Sequence, residues 1–413
     1  MKSLYLAAIA AFATQAVMAQ EAPAQPAQPA GFDAENGVVT IGSDRMFQIE
    51  SADKRFSFKP YMMLQTTANY NYYDDEGLDK AYNQDNVANS GFAIPYAVLG
   101  FTGKAFSNIT YNLSINAAAS GANILQQAWF DAKVNDCFAV RVGKFKTPFT
   151  SAYLTTLGET LMPILPVSLT STVIMPYSLN AVNPKIGTGF DLGVMLHGNI
   201  ACPQFGYEVG FFNGNGSGSN SATKTLSDDW HIPSLLYAGR LTWTPFGAMP
   251  RTQGNAKMLN QNKLEVALSG SINVESESES TNDTRAGFEF SWLHNRLYVS
   301  TEAYMMHVGF TDRQKIDKTY NFFGGYVQAG YFVHELWQVT ARYDFYDRNG
   351  SSVDGILNSP AVGFNYFIRN SGLKLSGVYQ FIGRTGHETQ LDRDNDDLGL
   401  AKQSACVMLQ YTF

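Results

Sequence analysis

The sequence predicts an all-β chain, a transmembrane antiparallel β-barrel of about sixteen strands. Three observations predict it. Apolar and polar residues alternate with a period of two along most of the chain. Beyond the first twenty residues no apolar run approaches the ~18 that a membrane helix needs. The joins between alternating segments are short and long in turn.

Composition narrows the classes before any motif is read. Charged residues make up 16% of the 413, below the roughly 25% of a soluble domain. Aromatics reach 13%, and the net charge is −7, which argues against nucleic acid as a partner. A multi-span helical transporter is excluded by the missing apolar runs. A large secreted β-sandwich or propeller would also alternate. It would have to bury all the apolar faces against one another, and no blade-length repeat is visible.

The first element is a leader. Met1-Lys2 carries one positive charge, Leu4 to Ala13 is a short apolar core, and Val17-Met18-Ala19 is a small-x-Ala cleavage pattern. Residues 1–19 therefore read as a secretory signal peptide, and its removal takes the net charge to −8. Residues 20–54 read as a periplasmic linker, its Pro-Ala-Gln-rich part extended and unpacked. The barrel is expected over 55–413.

Alternation then marks the strands. From Phe56, one parity reads Phe56, Phe58, Met62, Leu64, Ala68, Tyr70, Tyr72, and the other Ser57, Lys59, Gln65, Thr67, Asn69, Asn71. One face is greasy and the other wet, as in a half-buried strand. Ile109, Tyr111, Leu113 and Ile115 alternate with Thr110, Asn112, Ser114 and Asn116 in the same way. Sixteen segments follow: 56–72, 91–105, 108–118, 125–134, 138–146, 190–198, 204–212, 236–244, 263–274, 284–293, 296–308, 322–333, 336–347, 360–368, 373–381 and 403–413. Most have the ~9–11 residues that a tilted strand needs to cross a bilayer. Tyr70, Tyr72, Phe205, Trp243, Trp292, Tyr411 and Phe413 lie on the greasy parity near strand ends, where interfacial girdles sit.

The joins carry independent information. Phe106-Ser107, Asn135 to Cys137, His294-Asn295, His334-Glu335 and Arg369 to Gly372 are short, whereas 73–90, 147–189, 213–235, 309–321 and 382–402 are long. Short turns on one rim and long loops on the other are a barrel layout. Residues 245–262 break the pattern, being long at a short-turn position, which leaves room for a missed strand pair.

The segment Arg141-Val142-Gly143-Lys144-Phe145-Lys146-Thr147-Pro148-Phe149 resembles the start of the third long loop in the phosphate-selective porin O and P family. Ala97 to Lys104, Asp191-Leu192-Gly193-Val194, Asn213-Gly214-Asn215-Gly216, Arg240 to Pro245, Trp337 to Asp347 and the closing Tyr411-Thr412-Phe413 are similar in order and spacing, from about residue 50 onward. The resemblance implies a trimeric, water-filled outer-membrane pore narrowed by its third loop, with no cofactor. It also implies that the terminal Phe413 addresses the barrel-assembly machinery. One departure bears on selectivity. Where family members often carry arginines, this chain has Pro95, Tyr96 and Val98.

With the wet parity facing the pore, the basic lining is Lys59, Lys133, Arg141, Arg240, Arg285, Arg342 and Lys374. The acidic lining is Asp131, Glu208, Glu265, Glu289, Glu302 and Asp344. The near balance predicts internal pairing, Asp131 opposite Arg141 above all, and weak or mildly anionic selectivity. Residues 147–189 are too long for an ordinary loop and too apolar for disorder. They are expected to fold into the pore or against a neighbouring subunit, with Lys144, Lys146, Glu159 and Lys185 flanking the constriction.

The remaining signals are weaker. The outer loops carry Asp74-Asp75-Glu76, Glu275 to Glu279 and Asp392 to Asp397. The last has alternate acids but lacks the glycine and late glutamate of a calcium loop, so a solvated surface or divalent bridging to lipopolysaccharide also fits, and no metal is assigned. Cys137 and Cys202 fall in neighbouring turns and could be bonded or be two separate thiols. Catalysis finds no support: the six histidines are scattered, and no Gly-x-Ser-x-Gly elbow or metal-spaced pair accompanies them. A gated receptor would need a plug larger than the residues before 55. A channel for hydrophobic solutes and a non-conducting structural barrel stay open as alternatives.

Overall fold

Each alternating segment forms a strand that pairs antiparallel with its sequence neighbour. The computed structural model describes residues 37–41, 47–51, 53–73, 88–170, 190–200, 203–214, 235–254, 260–274, 283–309, 319–347, 356–368, 372–385 and 401–413. The leader, Lys185, Cys202 and Asp392 to Asp397 lie outside the described residues, as do the other acidic loops.

The first strands are β1 (Gly37–Ile41), β2 (Phe47–Ser51), β3 (Phe56–Tyr72), β4 (Ala88–Ala105), β5 (Ile109–Asn116), β6 (Leu125–Asn135) and β7 (Phe138–Lys146). Next come β8 (Phe190–Asn199), β9 (Phe205–Phe212), β10 (Leu236–Trp243), β11 (Gln261–Asn273), β12 (Asp283–Asn295) and β13 (Leu297–Gly309). The last are β14 (Thr319–His334), β15 (Trp337–Asp347), β16 (Ile356–Ile368), β17 (Leu373–Phe381), β18 (Gly383–Thr385) and β19 (Gln403–Thr412). Strands β3 to β17, with β19, make sixteen barrel staves. The three-residue β18 prolongs the line of β17 along β16. Within the stretch expected as linker, β1 and β2 form a hairpin that joins the lower end of β3 through Ile49↔Phe58 and Glu50↔Ser57.

Closure runs through β19 and β3, from Gln403↔Tyr72 to Thr412↔Met63. The backbones of Phe413 and Met62 exchange two further hydrogen bonds, of 3.0 and 3.1 Å. A closed ladder leaves no edge with unpaired N–H and C=O groups, which hydrocarbon would not tolerate. Outward side chains stay uncovered, among them Phe92, Phe130, Leu241, Leu268 and Val362. Pro95, which cannot donate to a ladder, sits in a bulge where Ile94 and Pro95 stand opposite Thr66. Gly143 is needed inside β7, because its φ is +130° and a Cβ there would lie 2.1 Å from the Ala128 carbonyl oxygen.

The apolar core lies inside the barrel and to one side. The loop after β7 turns inward at Thr147 and packs against β13 to β19. Phe149, Tyr153, Val167 and Leu169 form one cluster with Tyr304, Met306, Tyr326 and Tyr346. Met162 packs on Ala361, Val378 and Cys406. The irregular long join after β10 is no strand pair over its described part. It too enters the barrel, where Met249 meets Leu161, Leu293 and Tyr298.

Candidate functional site

Register makes the inner face explicit, because residues paired across a ladder share a face. The inward row crossing β10 to β13 includes Arg240↔Ser269, Ala267↔Glu289 and Glu289↔Glu302. The wet parity of the sequence is the inner face of the barrel. Among the described residues, what covers that face divides it into two halves.

On the covered half the inward charges hold the loop. The Glu302 carboxylate accepts 2.6 Å hydrogen bonds from the Ala152 amide and the Tyr304 hydroxyl. Ala152 belongs to a single helical turn, Ser151–Leu154, whose N-cap Thr150 accepts from the Tyr153 amide. Asp344 does the same for a second turn, Val167–Thr170, accepting from the amides of Val167 and Ser168 and from the Ser168 hydroxyl. Carboxylates satisfy the free amides at a helix start. Arg342 donates to the carbonyls of Ile164 and Leu165, and Lys374 to that of Gly158 at 2.8 Å. Glu302, Arg342, Asp344 and Lys374 are therefore buried under the loop.

The constriction residues expected from sequence behave similarly. The Lys146 ammonium donates to the Tyr153 and Thr155 carbonyls at 2.7 Å each, and Lys144 donates to the Ala122 carbonyl at 3.1 Å. Glu159 meets the segment that enters from the short-turn rim. Its carboxylate accepts from the Thr252 hydroxyl, and its backbone carbonyl from the amides of Gln253 and Gly254. These residues tie backbone together, and none of the three is fully exposed to an opening.

Between the halves stands a charge cluster. Arg240 is fully buried and donates to Glu289 and Glu265, each at 2.7 Å, with Glu208 at 3.6 Å. Arg251, delivered by the inserted segment, reaches Glu265 at 3.2 Å. Arg285 is buried on the same inner face, opposite Ser271 and Met306.

On the uncovered half the charges meet one another. Asp131 lies opposite Arg141, whose guanidinium binds its carboxylate at 2.7 and 2.8 Å and stacks 4.3 Å from the Trp129 ring centroid. His197 joins the same carboxylate oxygen at 2.9 Å. Lys133 pairs with Asp136 at 2.6 Å, at the exposed turn end. Lys59 is half-buried on the inner row, opposite Thr102. A cavity of about 320 Å³ opens beside them, its wall including Lys133, His197, Glu208, Arg240 and Arg251.

Sequence reasoning missed His197, Arg251 and the inserted segment. The register that brings His197 to Asp131 depends on β7 pairing β8 across 147–189, which alternation does not reveal. A signal for the cover did exist: on β13 the inner parity carries Tyr298, Tyr304 and Met306, and an apolar inner face needs something over it.

An anion-selective porin from Comamonas acidovorans shares the fold at 12% identity and a TM-score of 0.55, covering 87% of this chain and 100% of that one. The trimer form of OmpT from Vibrio cholerae gives a TM-score of 0.52 at 11% identity, over 87% of this chain and 100% of that chain. An uncharacterized protein of Aquifex aeolicus is 23% identical over 271 residues, which are 62% of this chain and 63% of that relative's length. The family pattern extends over 64–413, nearly all of the barrel, and the chain belongs to the phosphate-selective porin O and P family of the bacterial outer membrane.

Proposed function

We propose that this porin is a passive diffusion channel for small polar solutes and ions, with weak or mildly anionic selectivity. The observation that carries the reading is the division of the inner wall. The third loop is bonded down on one side, leaving polar, half-exposed residues along the other. The path would follow Lys59, Asp131, Lys133, Arg141, His197 and Glu208. Their pairing at short range leaves little net field, which favours weak selectivity. The leader 1–19 would direct export and 20–54 would stay in the periplasm. Likeness to a trimeric OmpT supports a homotrimer, set among lipid and lipopolysaccharide, with Phe413 read by the assembly machinery.

A channel for hydrophobic solutes would need the apolar part of the third loop to face the path. Phe149, Leu161, Met162 and Leu169 are instead buried against the wall, at 0–2% exposure. Single-channel conductance of the purified protein in a planar bilayer, with reversal potentials in a salt gradient, tests the proposal. Steady current with a permeability ratio near unity or mildly favouring anions is expected. Strong anion preference with block by phosphate would overturn the weak-selectivity part, and a folded barrel without current would overturn the channel. Heat-sensitive gel migration tests the trimer.

A further inference from the structure

We propose that Arg251, carried into the barrel by the segment after β10, sets the ion preference of the path; the inference rests on the channel reading above. Besides the Arg251–Glu265 pair, the segment is held by contacts that do not use its charge. Thr244 donates to the Gln204 carbonyl at 2.8 Å, the Thr156 amide donates to the Arg251 carbonyl at 3.2 Å, and Gln253 and Gly254 donate to Glu159. The Gln253 side chain also accepts from Gln328 and from the Leu161 amide. Position 251 is therefore fixed beside the path whatever side chain it carries.

The neighbouring charges make this residue count. Three carboxylates, Glu208, Glu265 and Glu289, surround the buried Arg240, and Arg251 is the second cation of the group. The Arg240 side chain has no exposed surface, whereas that of Arg251 is 35% exposed and stands on the cavity wall. On the neighbouring wall Arg141 is matched by Asp131 and Lys133 by Asp136. Without Arg251, Glu265 would lose the partner that reaches the water, an excess of one negative charge at the edge of the path. Low-dielectric walls focus such an excess into the path. One charge at about 4 Å from a permeating ion changes its energy by roughly a factor of five in population, even at the dielectric of water.

The experiment compares reversal potentials of the full chain with Arg251→Gln, Arg251→Glu and Arg251→Lys in the same salt gradient. Retained fast gel migration of each unheated variant confirms a folded barrel. Arg251→Gln should move the permeability ratio toward cations by about threefold to fivefold, with Arg251→Glu further and Arg251→Lys close to the parent. Lys133→Gln, at the exposed turn, should move it less. Unchanged ratios in Arg251→Gln and Arg251→Glu would overturn the inference while leaving the channel intact. So would an Arg251→Lys variant shifted as far as Arg251→Gln, which would mark a steric role. Absence of current in the unaltered protein would overturn the channel reading and this inference with it.

Discussion

Strands β13, β15 and β17 and strands β6 to β8 carry inward charges in the same alternating pattern, yet the two regions use them differently. On the first, Glu302, Asp344, Arg342 and Lys374 bind backbone of the third loop and have at most 5% exposure. On the second, Asp131, Arg141 and His197 bind each other, and the Arg141 and His197 side chains keep 27% and 24% exposure. Facing the lumen is not the same as lining a path. An inward charge under a loop acts as a cap or a tether. The same charge beside water shapes the field that a solute meets.

The sharpest way to break the comparison is at the most buried charge. Arg240→Ala would leave Glu265 and Glu289 without their shared partner, at a cost of roughly 3–5 kcal/mol, because uncompensated buried charge is strongly destabilising. The folded gel band should be lost at a markedly lower temperature than in the parent. An unshifted band would mean that water reaches the cluster freely.

Next in size is the tether at Asp344. Asp344→Ala strands the amides of Val167 and Ser168 and the Ser168 hydroxyl, a loss of about 2 kcal/mol. Part of that loss should appear as a freer loop, so single-channel records should turn noisier with occasional larger conductance. A variant with parental current and parental heat stability would show that the second helical turn holds without its cap.

On the uncovered half the balance between stability and permeation should invert. Asp131→Asn removes the buried partner of Arg141 and His197, whose own side chains stay about a quarter exposed, so the stability cost should be about 1 kcal/mol. The permeability ratio should shift about twofold toward anions, since a guanidinium is left unmatched on the wall. A large loss of stability with an unmoved reversal potential would make this half a brace like the other.

Much of this was legible in the sequence, for a physical reason. Lipid on one side and polar surroundings on the other force period-two alternation, and β3 from Phe56 to Tyr72 or β17 from Leu373 to Phe381 could be bounded from it to the residue. Elsewhere strands run a few residues further into the loops, as in β16, which starts at Ile356 where alternation marked 360. The use of each inner residue was not legible, because it depends on what folds over the wall. Glu302 and Asp131 read alike until the third loop is placed. The long join after β10 stood out only as an irregularity, since nothing local distinguishes a segment that enters the barrel from one that hangs below it.

The smallest effect lies at the turn between β6 and β7, and it tests whether pairing alone makes a charge structural. The hydrogen bond and charge of Lys133 hold the Asp136 carboxyl below its usual range, though Asp136 is fully exposed. A depressed carboxylate adds stability above its unfolded pKa and loses it as pH falls through the folded value, so any contribution is present at neutral pH and gone in acid. Full exposure and salt screening keep that contribution slight. Lys133→Ala should therefore leave heat stability at pH 7 within error, and the parent and variant should coincide in high salt and at a pH low enough to protonate Asp136. A clear loss at neutral pH that vanishes in acid would show that even this open pair braces the barrel. The boundary between tethering and path-lining charge would then have to be drawn closer to the water.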